Sequence, residues 1–134
     1  MSKDLLSSIF QKVKDKGVID DEFIKYLDGL FSDKSASILE VVQRGFIKYT
    51  YNPSKKVVWC VPAKKHPEEE YFIYPKIYCS CRDFYKAVVL ERTRSFCKHL
   101  LAQVISEALQ SFKNVELDDS LFKKRITELK QKFK

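Results

Sequence analysis

Apolar residues fall at two different periods along this chain, and the change of period divides it. Leu5, Leu6, Ile9 and Val13 recur at helical spacing, with Ser2 placed as an N-cap and Gly17 as a stop. A second helix follows: Asp20 or Asp21 caps it, Ile19 staples it, and Phe23, Ile24, Leu27, Leu30 and Phe31 form its stripe. A third runs from about Ser35 to Arg44, with Ile38, Leu39 and Val42 inward and Gly45 ending it. At FIKYTY the pattern becomes aromatic and β-rich. NPSK reads as a turn, in which Pro presets φ and Asn bonds its own backbone, and VVWCV completes a hairpin. PAKKHPEEE is a polar loop. YFIYPKIYC is a third extended run, at an edge or bulged at Pro75, because proline cannot donate to a ladder.

After Cys81 the helical period returns. Phe84, Val88 and Leu90 mark a short amphipathic segment, and ERTRS is a connection. From Cys97, the residues Leu100, Leu101, Val104, Ile105, Ala108, Leu109 and Phe112 predict a strong helix. Asp118 to Ser120 cap a last helix striped by Leu121, Phe122, Ile126, Leu129 and Phe133, with Lys123, Lys124, Lys130, Lys132 and Lys134 on its other face. That stripe either docks on the chain's own core or receives a partner; self-docking is the commoner outcome for a terminal helix. The expected fold class is α+β: N-terminal helices over residues 1–45, a small antiparallel sheet and a ββα unit over 46–113, and a C-terminal amphipathic helix over 114–134, forming one compact domain.

Charge and cysteine usage narrow the picture. The chain has 134 residues, is 45% hydrophobic, and carries a net charge of +7. No run is apolar for the length of a membrane span, and MSKDLLSSIF has no secretion-signal pattern, which points to an intracellular, thiol-reducing setting. The charge is uneven. Residues 44–66 carry Arg44, Lys48, Lys55, Lys56, Lys64 and Lys65 with no acid, whereas six Lys face eight acids in residues 1–43. Such a basic segment either keeps a small protein soluble and its edge strands unpaired or forms an electrostatic footprint for nucleic acid. On the second reading Lys55, Lys56, Lys64 and Lys65 are the candidate contacts, with Tyr49, Tyr51 and Trp59 near for base stacking. Against it, VVWCV reads as buried on both faces.

The stretch CSCRDFYKAVVLERTRSFCKH, residues 79–99, carries the chemistry. Cys79 and Cys81, two apart at a strand end, point to one side. Cys97 and His99 sit where the long helix begins, where free N–H groups and the helix dipole favour thiolate. Three thiolates and one neutral imidazole make a tetrahedral Cys3His set suited to one zinc ion, and a centre with every position filled by protein is structural in kind. Its charge is −1, with Arg82 and Lys98 adjacent to offset it. A Cys79–Cys81 disulfide would close a strained loop, and Cys97 beside His99 is a nucleophile only if no metal binds. Cys60, inside VVWCV, is read as a small buried hydrophobe, and His66, in the polar loop, as exposed. With three glycines there is no Gly-rich phosphate loop, nor a Ser-His-Asp set, so no catalytic residue is assigned.

Cys-x-Cys, an insertion, then Cys-x-His resembles the SWIM-type zinc finger. The resemblance extends to Phe84, three after Cys81, and to CKHLLA at the helix start, and covers about residues 57–110. The whole layout is similar to the small SWIM-bearing subunits of Shu complexes. The resemblance implies a non-catalytic adaptor in the nucleus that pairs with a RecA-like recombinase paralogue. It also implies a role in recombinase filament assembly on single-stranded DNA during homologous recombination and DNA repair. Two alternatives remain: a module that binds single-stranded nucleic acid directly, or a SWIM interaction module in another pathway. The ligands Cys79, Cys81, Cys97 and His99 carry over one by one; no partner-contact residue does.

Overall fold

The computed structural model describes residues 2–31, 34–66, 68–75, 77–92, 96–122 and 124, with the side chains of 2–4 left aside. Three helices open the chain: α1 (Ser2–Lys16), α2 (Asp21–Leu30) and α3 (Ser35–Arg44). Gly17 stops α1 at φ 74°, its N–H reaching the Val13 carbonyl, and Gly45 ends α3 at φ 91°. Both conformations favour glycine because a Cβ is crowded there. Asp20 is the residue that caps α2, its carboxylate accepting from the Phe23 N–H at 2.9 Å. The Ser2 cap lies outside the described side chains.

The hairpin follows as β1 (Phe46–Asn52) and β2 (Lys56–Pro62), antiparallel, with Ile47 opposite Cys60 and Tyr51 opposite Lys56. The NPSK turn is present, but the Asn52 amide oxygen accepts from Lys55 Nζ at 2.7 Å rather than from its own backbone. The third extended run is not one strand. It breaks at Pro75 into β3 (Glu70–Tyr74) and the short β4 (Tyr78–Cys79), closed by the Ile77 N–H to the Tyr74 carbonyl. Proline's missing N–H and fixed φ turn the chain there instead of bulging it. Beyond the finger loop lie a π-helical segment (Phe84–Leu90), α4 (Lys98–Leu109) and β5 (Phe112–Asp118).

β5 corrects two expectations. The helix ends at Leu109, where Gln110 turns left-handed at φ 57°, so Phe112 belongs to a strand. That strand lies parallel to β1, with Phe46 opposite Phe112, and makes the five-stranded sheet β4-β3-β2-β1-β5 mixed rather than antiparallel. In FKNVELD only Val115 and Leu117 keep a period of two, while Phe112 faces the opposite side of the sheet, so the strand signal is short and is masked by the preceding helical run. Only the first residues of the expected C-terminal helix are described, a turn at Asp118–Phe122 in which the Asp118 carboxylate accepts from the Ser120 N–H. The rest of its stripe lies outside the described residues.

All four helices stand on one face of the sheet. α4 packs against α1 and α3, and its residues 99–106 are buried on every side. The main core joins Leu6, Ile9, Leu27, Ile38, Val41, Leu100, Val104 and Ile105 to Phe46, Trp59, Val61 and Ile73 of the sheet. Val41 replaces Val42 as the deepest valine of α3, Ala87 rather than Leu90 is buried in the π-helical segment, and Leu30 is exposed. The opposite face carries a smaller cluster, Tyr51, Val58, Cys60 and Phe72, with Tyr49, Tyr74, Leu117 and Phe122 against it. VVWCV therefore serves both faces, as its continuous apolar run predicts.

Candidate metal centre

Three separate pieces of backbone bring the centre together. β4 ends at Cys79. Ser80 holds the chain extended: its N–H donates to the Phe72 carbonyl at 3.1 Å and its hydroxyl accepts from the Phe72 N–H at 3.0 Å. Cys79 and Cys81 are thus kept two apart on one side, although Cys81 itself lies just beyond the strand. The Phe84 N–H then donates to Cys81 Sγ at 3.2 Å, a bond that stabilises a thiolate and turns the chain into the π-helical segment. Phe84 is buried against Tyr78, ring centroids 5.4 Å apart, which anchors that turn. Across the 15 residues from 82 to 96 the chain returns, and Cys97 becomes the N-cap of α4 with His99 in its first turn.

The four ligand atoms of Cys79, Cys81, Cys97 and His99 lie within 4.8 Å of one another, and all four residues are buried. No bond joins the sulfurs. A tetrahedral ion with bonds of about 2.0–2.3 Å spans that spread with small side-chain rotations. Two further observations fit a cation. Both ring nitrogens of His99 are buried without a hydrogen-bond partner among protein groups, a costly condition that coordination relieves. The thiols themselves accommodate only part of the charge: burial pushes the Cys79 thiol well up, while hydrogen bonds from Cys79 and then Cys97 draw Cys81 down. Without a metal the three sulfurs share one negative charge; a divalent cation lets all three ionise. The Tyr71 ring lies against the His99 imidazole at 4.7 Å and shields it.

The remaining sequence-derived candidates separate. Cys60 is buried on the far face of the sheet, outside the ligand set. His66 is exposed and paired with Glu68 at 3.5 Å. Lys64 and Lys65 line a cleft beside the metal centre. Lys55 and Lys56 sit at the hairpin turn, the other end of β2, where Lys56 Nζ lies 4.8 Å over the Phe122 ring. The stacking aromatics are not presented to solvent together: Trp59 is 2% and Tyr51 1% exposed. Arg44 is the charged residue that sequence reasoning placed only in a basic run. It pairs with Glu40 at 2.6 Å and donates to the Pro62 carbonyl at 3.0 Å, tying α3 to the end of β2. The i, i+4 spacing of Glu40 and Arg44 was the available signal.

A buried Cys3His cluster that bridges a strand end and a helix start fits a zinc finger. The comparisons sharpen the class. The chain is 29% identical over 124 residues to the zinc finger SWIM domain-containing protein 7 homolog of Dictyostelium discoideum, covering 92% of this chain and 78% of that protein. It is 28% identical over 118 residues to human zinc finger SWIM domain-containing protein 7, covering 87% and 83% of the two chains. The mouse protein of the same name matches at 28% over 128 residues. No family model and no solved structure matches. The Cys/His cluster fits a SWIM zinc finger, and proteins bearing that name match most of the chain.

Proposed function

We propose that this protein is a non-enzymatic adaptor with one structural zinc ion, working as the SWIM subunit of a Shu-like complex in the nucleus. It pairs with a RecA-like recombinase paralogue and promotes recombinase filament assembly in recombinational DNA repair. The observation that carries this reading is the buried Cys3His centre, all of whose positions are taken by side chains, in a chain matched over most of its length by SWIM domain-containing proteins. A centre of that kind supplies folding energy rather than a reactive position. The partner class comes from the resemblance of the helices-then-finger layout to Shu SWIM subunits.

In this reading the zinc fixes the β3–β4 hairpin to α4, and the surfaces beside it are held ready for a protein partner. Ile77 on the β3–β4 turn and Tyr85, Val89 and Leu90 on the π-helical segment are exposed large apolar side chains flanking the centre, as an interaction surface requires. Native purification of the tagged chain with mass spectrometry of what stays bound tests the pairing. A RecA-like protein in near-equal amount is the expected result. Ubiquitin-pathway or transposon proteins in its place would leave the zinc finger standing and remove the recombination role.

A further inference from the structure

A cleft of about 610 Å³ opens directly beside the zinc ligands, with Cys81 and His99 in its wall. Basic residues predominate in its walls. Lys64 and Lys65 reach it from the loop after β2, Arg82 from the finger loop, Lys98 from the first turn of α4 and Arg44 from the end of α3. These residues are distant in sequence, and the fold gathers them. Arg44 is engaged by Glu40, but Lys64, Lys65, Arg82 and Lys98 make no ion pair among the described residues. Two acids, Glu69 and Asp83, share the walls, so cations remain in excess. Lys64 and Lys98 also act with Arg44 to hold the Glu40 carboxyl below the usual range, which places their fields at one spot. The N-terminal N–H groups of α4, a helix of 12 residues, add to the same potential.

From this convergence we infer that the cleft binds the phosphodiester backbone of a single nucleic-acid strand. Basic residues outnumber the acids around this concavity even with Glu40, Glu69, Asp83 and the negative charge of a thiolate-held zinc counted, which favours a multivalent anion. The cations stand at several separate points of the wall, contributed by α3, the loop after β2, the finger loop and α4, an arrangement that suits a chain of regularly repeated charges. A flexible strand can place neighbouring phosphates inside a concavity. Because Trp59 and Tyr51 are buried, recognition runs through phosphates rather than base stacking. The active cations are thus Lys64, Lys65, Arg82 and Lys98, and Lys55 and Lys56 at the far end of β2 take no part. This inference stands independently of the adaptor reading, since it concerns the chain alone.

The test is fluorescence anisotropy of a labelled oligothymidylate of about 20 nucleotides titrated with the zinc-loaded full chain. Between about 50 and 200 mM salt, three or four phosphate contacts weaken binding roughly 20- to 50-fold. Lys64→Glu combined with Lys65→Glu is expected to weaken binding tenfold or more. Lys55→Glu combined with Lys56→Glu is expected to change it less than threefold. Zinc content and melting temperature are checked in both pairs, and Lys64→Gln with Lys65→Gln gives the same ranking should charge reversal disturb folding. The inference is overturned by absence of saturable binding, or by equal losses in the cleft and hairpin pairs. Displacement of the strand by inorganic phosphate or ATP, or by poly-glutamate at equal charge concentration, also overturns it, since the ligand is then a free phosphate or an acidic chain. None of these outcomes bears on whether a RecA-like partner co-purifies.

Discussion

The two faces of the sheet bury cysteine equally and use it differently. Cys79 and Cys60 are each 1% exposed, on β4 and β2 respectively. On the far face Cys60 sits among Tyr51, Val58 and Phe72, where a thiol is a small apolar filler. On the helix face Cys79 meets Cys81, Cys97 and His99, and two imidazole nitrogens are left without protein partners. Burial alone therefore says little about a cysteine. Convergence of donors whose bonding is incomplete distinguishes a metal centre from a core position. Packing holds one face together through ring contacts such as Tyr51–Phe122 at 5.0 Å; the other adds a joint between hairpin and helix that packing does not supply.

The contrast is broken most forcefully at a ligand. Cys97→Ala or His99→Ala should abolish stoichiometric zinc in elemental analysis and lower the melting temperature by about 10 °C or more, since metal affinity is folding energy here. Unchanged stability in either variant would show that the cluster is only packing. Trp59→Ala comes next. Its ring stands between Phe46 at 6.3 Å and Phe112 at 4.6 Å, and its removal should cost about 3–5 kcal/mol in denaturant unfolding while zinc is retained.

Acid sharpens the same comparison. The Cys79 thiol lies well above its ordinary value and Cys97 is pushed up to about 12, so at neutral pH both hold protons in the metal-free state. Zinc binding releases them, and affinity measured by chelator competition should rise about two log units per pH unit between roughly pH 6 and 8. A slope near zero would mean the sulfurs are not the ligands. Cys60→Ala is smaller, about 1 kcal/mol with zinc unchanged. The smallest effect is Glu40→Gln, about 0.5 kcal/mol at neutral pH. The Arg44 guanidinium holds Glu40 below the usual carboxylate range, so this contribution is present above about pH 4.3 and disappears as pH falls through the depressed value. The difference between wild type and Glu40→Gln in paired melts should close accordingly.

How far the sequence revealed this arrangement depended on whether the signal was local. Helix stops at Gly17 and Gly45, the Asp20 cap and the two-faced burial of VVWCV follow from short-range rules, and each is present. The grouping of Cys79, Cys81, Cys97 and His99 was readable because Cys-x-Cys and Cys-x-His are themselves local patterns, and the fold brings their four donor atoms within 4.8 Å. What escaped was non-local or masked by a neighbour. β5 hides behind α4, whose apolar rhythm runs on to Phe112 by coincidence of spacing; only parallel pairing with β1 reveals it. The basic residues show the same limit. Contiguity in residues 44–66 grouped Lys55 with Lys64, whereas the fold separates them and joins Lys64 to Lys98 and Arg82. The division drawn at 45 coincides with the turn from α3 into β1, whereas that drawn at 113 falls inside β5, which pairs with β1.

X-ray absorption at the zinc edge on the purified full chain tests the central claim most directly. The account predicts a four-coordinate ion with three sulfurs at about 2.3 Å and one nitrogen at about 2.0–2.1 Å, and no oxygen. An oxygen in the shell, fewer than three sulfurs, or no bound zinc would contradict a closed structural centre made by Cys79, Cys81, Cys97 and His99.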